Sequence, residues 1–222
     1  DGVHFTRAEL PPRLIGRKAL AVNFSDIAAM AGRPRFALIC LGLPQPDSSF
    51  IREAYRGMVD LCRRFSVAII GGNIARSPVL FIDATVLGFA AGPAPVTRSG
   101  ARPGDRIFVT GSLGGSSSGK HARFTPRVEE ALEIVRRVHV SSMMDLSDGI
   151  ASDLPRLAEA SRCGFRLELD RLPISSSARC SRDPLRSALT DGEDYELLFT
   201  VPPEEAGRVP RRLLGKTRVT GI

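Results

Sequence analysis

The sequence predicts a mixed α/β (α+β) protein of two domains, and three observations carry that reading. Apolar residues recur at helical spacing in some segments, as from Ser48 to Phe65. In others they run on or alternate as strands do, as in RFALICLGL at 35–43 and VLFIDATVLGFA at 79–90. Both kinds of segment alternate through both halves of the chain, and the Pro- and Gly-rich stretch from Ala91 to Pro95 divides them. The expected division is therefore a domain over 1–93 and a second over 94–222. A chain of 222 residues with 43% hydrophobic residues is long and apolar enough to bury a core in each.

Residues 16–31, GRKALAVNFSDIAAMA, read as an Ala-rich helix with an apolar stripe. Residues 35–43 follow as a buried strand ended by Pro44 and Pro46. The 48–65 helix has Ser48 or Ser49 as candidate caps. Two strands come next, VAIIG at 67–71 and the run at 79–90, joined through Gly71-Gly72-Asn73 and Pro78. In the second half RIFVTG at 106–111 reads as a strand leading into a Gly/Ser run. Residues 126–138 read as a helix with Pro126 near its start. A short strand ends at Met144, and a helix then runs to about Cys163. FRLELD at 165–170 and YELLFTV at 195–201 are expected strands, followed by a short helix and a terminal strand, TRVTGI.

The formal net charge is +7, and only Lys18, Lys120 and Lys216 are lysines. The arginines are spread among apolar stretches rather than clustered with aromatics, which argues against nucleic-acid binding. No apolar run is long enough to span a bilayer, and the start, Asp1-Gly2-Val3-His4-Phe5, has no signal-peptide pattern, so a cytoplasmic protein with no membrane partner is expected. A chain that opens in mid-pattern without Met also suggests residues upstream of it. Cys40, Cys62, Cys163 and Cys180 are scattered with no C-x-x-C pair, so reduced thiols are expected rather than a zinc or redox site.

Five segments carry candidate chemistry. Asp145-x-Ser147-Asp148-Gly149 lies between a strand and a helix, so its two carboxylates, its hydroxyl and the first N–H groups of the helix can face one place. Hard oxygen ligands suit Mg²⁺, and a helix N-terminus suits phosphate. Taken alone, an N-cap turn is the plainer reading. Asp26 lies in a small-residue helix and needs either a cationic partner, Lys18 or Arg17, or a metal. Gly71-Gly72-Asn73 can bring backbone close to a phosphate, or be only a turn. The run Gly111 to Lys120 imitates a P-loop, but His121 stands where the Mg²⁺-binding Ser/Thr belongs, and a flexible Gly/Ser loop is the better reading. Asp191-Gly192-Glu193-Asp194-Tyr195-Glu196 reads, in isolation, as an exposed acidic turn. Jointly, the set favours metal-assisted phosphate chemistry over acyl transfer, since no Ser-His-Asp or Cys-His arrangement is in prospect.

These motifs occur in a recognisable order: GVHF, GRKALAVNFSDIAAMAG, GGN, RSGARPGD, TGSLGGS, MMDLSDGIASDLPRLAEAS and DGEDYELLFTVP. In that order the chain resembles the thiamine-monophosphate kinases, of the superfamily that includes aminoimidazole-ribonucleotide synthetase. The resemblance implies an aminoimidazole-ribonucleotide synthetase-like fold. Its N-terminal domain pairs across a homodimer into a β-barrel and binds ATP and Mg²⁺, while its C-terminal α/β domain closes the cleft. It implies ATP-dependent phosphorylation of thiamine monophosphate to thiamine diphosphate, with Mg²⁺ as cofactor and ATP as co-substrate. Carried over position by position, it implies Asp26, Asn73, Asp145 and Asp148 as metal ligands, and Gly72, Asn73, Arg98 and Ser147 as nucleotide contacts. His4 and Glu193 become substrate contacts. The nucleophile is a phosphate oxygen already ionised near neutral pH, so no catalytic general base is expected. Asn73 stands where many members carry Asp, which weakens metal ligation there. Other readings of the sequence are a superfamily enzyme acting on a ribonucleotide and, in a different class, a basic nucleic-acid-binding protein.

Overall fold

The computed structural model describes residues 2–222 and has two lobes, each built on its own sheet. The first lobe contains α1 (Pro12–Ala29), β1 (Gly32–Leu43), α2 (Ser48–Phe65), β2 (Ala68–Arg76) and β3 (Phe81–Ala90). Its three strands lie in the order β2-β1-β3, with β1 parallel to β2 and antiparallel to β3. The second lobe contains β4 (Arg106–Thr110), α3 (Lys120–Arg123), α4 (Val128–Arg137), β5 (Ser142–Asp145), α5 (Ile150–Ser161), α6 (Ser176–Arg179) and α7 (Pro184–Thr190). It continues with β6 (Leu197–Val201), α8 (Pro203–Ala206), β7 (Arg212–Leu213) and β8 (Thr217–Gly221). Its five strands run β5-β6-β4-β8-β7, antiparallel throughout.

Helix α1 begins four residues earlier than its apolar stripe predicts. Pro12 occupies the first turn, where its missing N–H leaves no bond unmade. Helix α2 has the expected limits, but its cap is Asp47 rather than a serine, accepting from Phe50 N at 2.8 Å. The two helices cross closely because Gly16 and Gly57 face the contact. A Cβ on Gly16 would lie 2.0 Å from the Ala54 carbonyl oxygen, and one on Gly57 1.8 Å from that of Arg13. Under them, Leu20, Phe24, Ala37, Ile39, Met58 and Leu61 form the first core.

Two expectations fail for identifiable reasons. Gly71-Gly72-Asn73 is not a turn; it lies inside β2, and Gly72 sits against Ile39 with φ +142°, where a Cβ would meet the Ile39 carbonyl oxygen at 1.9 Å. FRLELD forms no strand: no neighbouring strand receives its backbone, and it ends in a 3₁₀ turn over Leu169–Arg171.

The first sheet has one face under α1 and α2 and one face open. On the open face Phe36, Cys40, Phe81 and Leu87 are exposed, and Asn73, Cys40 and Asp83 stand in one cross-strand row. Both β2 and β3 are edge strands, so the sheet is open within the single chain.

Candidate functional site

A cleft of about 740 Å³ opens between the lobes. One wall is the N-terminal segment with His4, the α1 face carrying Lys18, Asn23 and Asp26, and Asp83 on β3. The other is the β5–α5 turn with Asp145, Ser147 and Asp148, and the segment Asp191 to Tyr195. Six carboxylates line it against a single lysine, so the space is strongly electronegative.

Asp145 ends β5 at 4% exposure and accepts a hydrogen bond from the Ser25 hydroxyl of α1 at 2.6 Å, which joins the two lobes. Burial pushes its carboxyl up to about 6, the Ser25 bond opposes this, and the charge of Asp26 adds to it. Asp26 is solvent-accessible in the cleft mouth, so it needs no buried partner. Lys18 and Arg17 are both engaged elsewhere, Arg17 with the carbonyls of Ala122 and Phe124. The surrounding protein raises its carboxyl all the same, with Arg98 acting the other way.

Asp148 is exposed and pairs with Arg156. Asp153 reaches back from the first turn of α5 to accept from Asp148 N at 2.9 Å, while no side chain caps the helix at Gly149. The Asp145–Asp148 turn is therefore more than an N-cap, since neither of its aspartates caps α5.

The Asp191–Glu196 segment is not an exposed acidic turn. Asp194, 1% exposed, accepts from Gly114 N at 2.9 Å and Ser116 Oγ at 2.7 Å, and lies 3.4 Å from Lys120 Nζ. Asp191 accepts from Gly115 N at 2.8 Å. Glu196 receives Arg127 through two bonds of 2.7 and 2.8 Å, together with the Thr110 hydroxyl. These carboxylates fasten the Gly/Ser run. Lys120 binds the Ser112 carbonyl and the two buried acids, so this run is neither a P-loop nor an unattached loop.

Of the residues expected from the sequence, His4, Asp26, Asp145, Ser147, Asp148 and Glu193 line the cleft. Gly72 and Asn73 do not; they lie on exposed β2, in line through Cys40 with Asp83, which does. Arg98 is exposed outside the lining, near enough for its charge to act on Asp26. Sequence reasoning missed Asp83 and the cleft role of Lys18. The signal for Asp83 was a lone carboxylate in the otherwise apolar FIDATV. Among the described residues, no three His, Cys, Asp or Glu side chains converge closely enough to hold an ion by themselves.

Residues 1–90 match the N-terminal domain of the AIR synthase related proteins, and residues 102–219 match the C-terminal domain of that family. A thiamine-monophosphate kinase from Rhodopirellula baltica is 45% identical over 213 residues, covering 93% of this chain and 67% of that protein. The crystal structure of thiamine-monophosphate kinase from Stenotrophomonas maltophilia K279a superposes with a TM-score of 0.90 at 31% identity, covering all of this chain and 78% of that one. The structure of AaThiL complexed with AMPPCP and TMP superposes with a TM-score of 0.88 at 32% identity, covering all of this chain and 76% of that one.

Proposed function

The chain belongs to the thiamine-monophosphate kinase family of AIR synthase related proteins, and on that footing we propose that it transfers the γ-phosphoryl group of ATP to thiamine monophosphate, giving ADP and thiamine diphosphate. The observation that carries this reading is the inter-lobe cleft in which burial raises the carboxyls of both Asp26 and Asp145, and the charge of Asp26 raises that of Asp145 further. Two polyanionic substrates cannot enter such a cleft without added positive charge.

The donor set fits Mg²⁺. This cation is held by one or two carboxylates, with phosphate oxygens and water completing its shell, and a cage of three or more protein ligands is not needed. Asp26 and Asp145 are the proposed ligands, with Asp148 at the mouth. Asn73 is a weaker oxygen donor in the same cross-strand row as Asp83. When bound, Mg²⁺ supplies charge that offsets the repulsion between the two phosphate-bearing substrates.

The chain's own groups hold and orient the substrates. Ser147 and the uncapped N-terminus of α5 suit a phosphate of the nucleotide, Arg98 and Gly72 extend the nucleotide contacts, and His4 and Glu193 meet the acceptor. No side chain need act as a general base, because the attacking phosphate oxygen loses its second proton near pH 6.

We extend the reading to assembly and place. The apolar open face with Phe36, Phe81 and Leu87, and the free edges of β2 and β3, suit pairing with a second copy into a closed barrel. On this reading residues 1–93 dimerise and bind ATP and Mg²⁺, and residues 94–222 close the cleft. No described helix is long and apolar enough to cross a membrane; a cytoplasmic enzyme with no nucleic-acid partner is proposed.

The test is direct. The protein is incubated with ATP, Mg²⁺ and thiamine monophosphate, and thiamine diphosphate is measured by chromatography. Mg²⁺-dependent product supports the reading. No product, or turnover only with a ribonucleotide acceptor, overturns it.

A further inference from the structure

Lys18 is buried on α1 and is the only lysine in the cleft wall among the described residues. Its ammonium donates to the His4 carbonyl at 2.7 Å and to His121 Nδ1 at 3.0 Å, and pairs with Glu193 Oε1 at 2.6 Å. An ammonium has three N–H donors. All three are engaged, so Lys18 has none left for a substrate phosphate.

Each partner comes from a different part of the chain: the N-terminal segment, α3, and the 191–196 segment of the second lobe. That last segment is bent hard to deliver Glu193. Glu193 has φ +52° and Tyr195 φ +50°, in a region non-glycine residues seldom adopt. The bend is pinned by Glu193 N donating to the Ser147 carbonyl at 2.7 Å and Tyr195 N to that of Leu146 at 2.8 Å. Asp194 thereby turns inward to the Gly/Ser run and Glu193 turns to the cleft. Tyr195, stacked on Phe124 with centroids 4.1 Å apart, brings its hydroxyl to 3.5 Å from Glu193 Oε1.

The second carboxylate oxygen is different. His121 Nδ1 lies 3.4 Å from it and bears no proton while it accepts from Lys18, so it donates nothing to this oxygen. Glu193 lines the cleft with its side chain 34% exposed, so this second oxygen is the one available to a molecule bound there.

We propose that Lys18 is a positioning residue that holds Glu193 by one oxygen, with the lobes and the N-terminal segment clasped together, so that the other oxygen is presented to the acceptor substrate. This rests on the reading that Glu193 meets the acceptor in a kinase cleft.

The test uses K18M, E193Q and the double variant in the whole protein, measuring kcat and KM for each substrate. K18M should lower kcat/KM for thiamine monophosphate by about 10- to 100-fold, the scale of a misplaced contact, with the KM for ATP unchanged. Because Lys18 acts through Glu193, the double variant should fall within about threefold of E193Q. Multiplied losses would overturn the proposal. K18R keeps the charge of a buried cation but cannot aim three donors the same way. It guards against K18M failing to fold, and wild-type kcat/KM in K18R would also overturn the proposal.

A second readout does not depend on turnover. The groups acting on His121 are Lys18 and Arg123, which lower its pKa together with burial, and Glu193 and Glu9, which raise it. The His121 midpoint in a ¹⁵N NMR titration should therefore rise in K18M and stay in place in K18R. An unmoved midpoint in K18M would refute the cluster even in an enzyme that makes thiamine diphosphate. A shifted midpoint in a protein that makes none would place the failure in the kinase reading.

Discussion

Replacing Asp145 by asparagine should make the chain more stable and far less active. The folded carboxyl titrates at about 6 against an ordinary 3.8, because burial disfavours its charge more than Ser25 supports it. A folded value above the unfolded one means that this group's stabilising contribution is fully present below about pH 4 and is lost as pH rises through about 6. Near neutral pH the ionised carboxylate is then a net burden of about 3 kcal/mol, from roughly two pKa units at about 1.4 kcal/mol each. Asparagine has nearly the same shape, keeps an oxygen to accept from Ser25 and never ionises. For a chain of this size about 3 kcal/mol corresponds to a rise in Tm of roughly 6–12 °C. Calorimetric melts of both proteins at about pH 7.5 should show that gap, and melts near pH 4 should show it closing, since both side chains are then neutral. Mg²⁺ with a non-hydrolysable ATP analogue should raise the wild-type Tm and leave D145N unmoved, while thiamine diphosphate formation by D145N falls by on the order of a hundredfold or more. A D145N protein that melts below wild type near neutral pH, or a gap independent of pH, would refute the reasoning.

Arg127→Met leaves Glu196, 2% exposed, without its two-bond partner, and should lower the free energy of unfolding in urea by about 3–5 kcal/mol. Gly57→Ala puts a methyl on the Arg13 carbonyl and should destabilise by about 1–3 kcal/mol or more, measured by the urea midpoint at unchanged m-value. Leu87→Glu places a charge on the open sheet face and should shift sedimentation towards monomer at micromolar concentration; an unchanged sedimentation coefficient would count against pairing through that face. The rate of thiamine diphosphate formation should rise through about pH 6 with the second ionisation of the acceptor phosphate and then level off. A limiting group titrating well above pH 7 would reveal a catalytic base.

The order of elements was legible wherever one periodicity dominated, as in α2, whose limits follow from its apolar stripe alone. It failed where pairing decides the outcome. FRLELD alternates well enough, but alternation makes a strand only when a neighbour offers a ladder, and no residue pattern announces that neighbour. The cleft was legible through its segments: SDIAAM and DLSDG were read as separate carboxylate motifs, and the fold brings Asp26 and Asp145 together across 119 residues. The contents of the acidic segment were not legible. Asp194 and Glu196 look like solvated charges because their partners, Gly114, Ser116 and Arg127, lie far away in sequence. Lys18 was misread for a related reason: its nearest carboxylate along α1 is Asp26, but its actual partner is Glu193.

The buried Asp194 also constrains the order of events during synthesis. Its partner Gly114 is made 80 residues earlier. At about 5–20 residues per second, the Gly/Ser run waits roughly 4–16 s before the carboxylate that fastens it exists. β4 waits too, since its two sheet neighbours, β6 and β8, both come later in the chain. The first lobe, by contrast, has all three strands by Ala90. Translation thus makes the strands of the first lobe well before Phe124 and Tyr195, which complete its core, and the Gly/Ser run stays unbraced until residues beyond Tyr195 arrive. A protease acting on nascent chains would find its target around Gly114 to Ser116, which the completed protein fastens to Asp191 and Asp194.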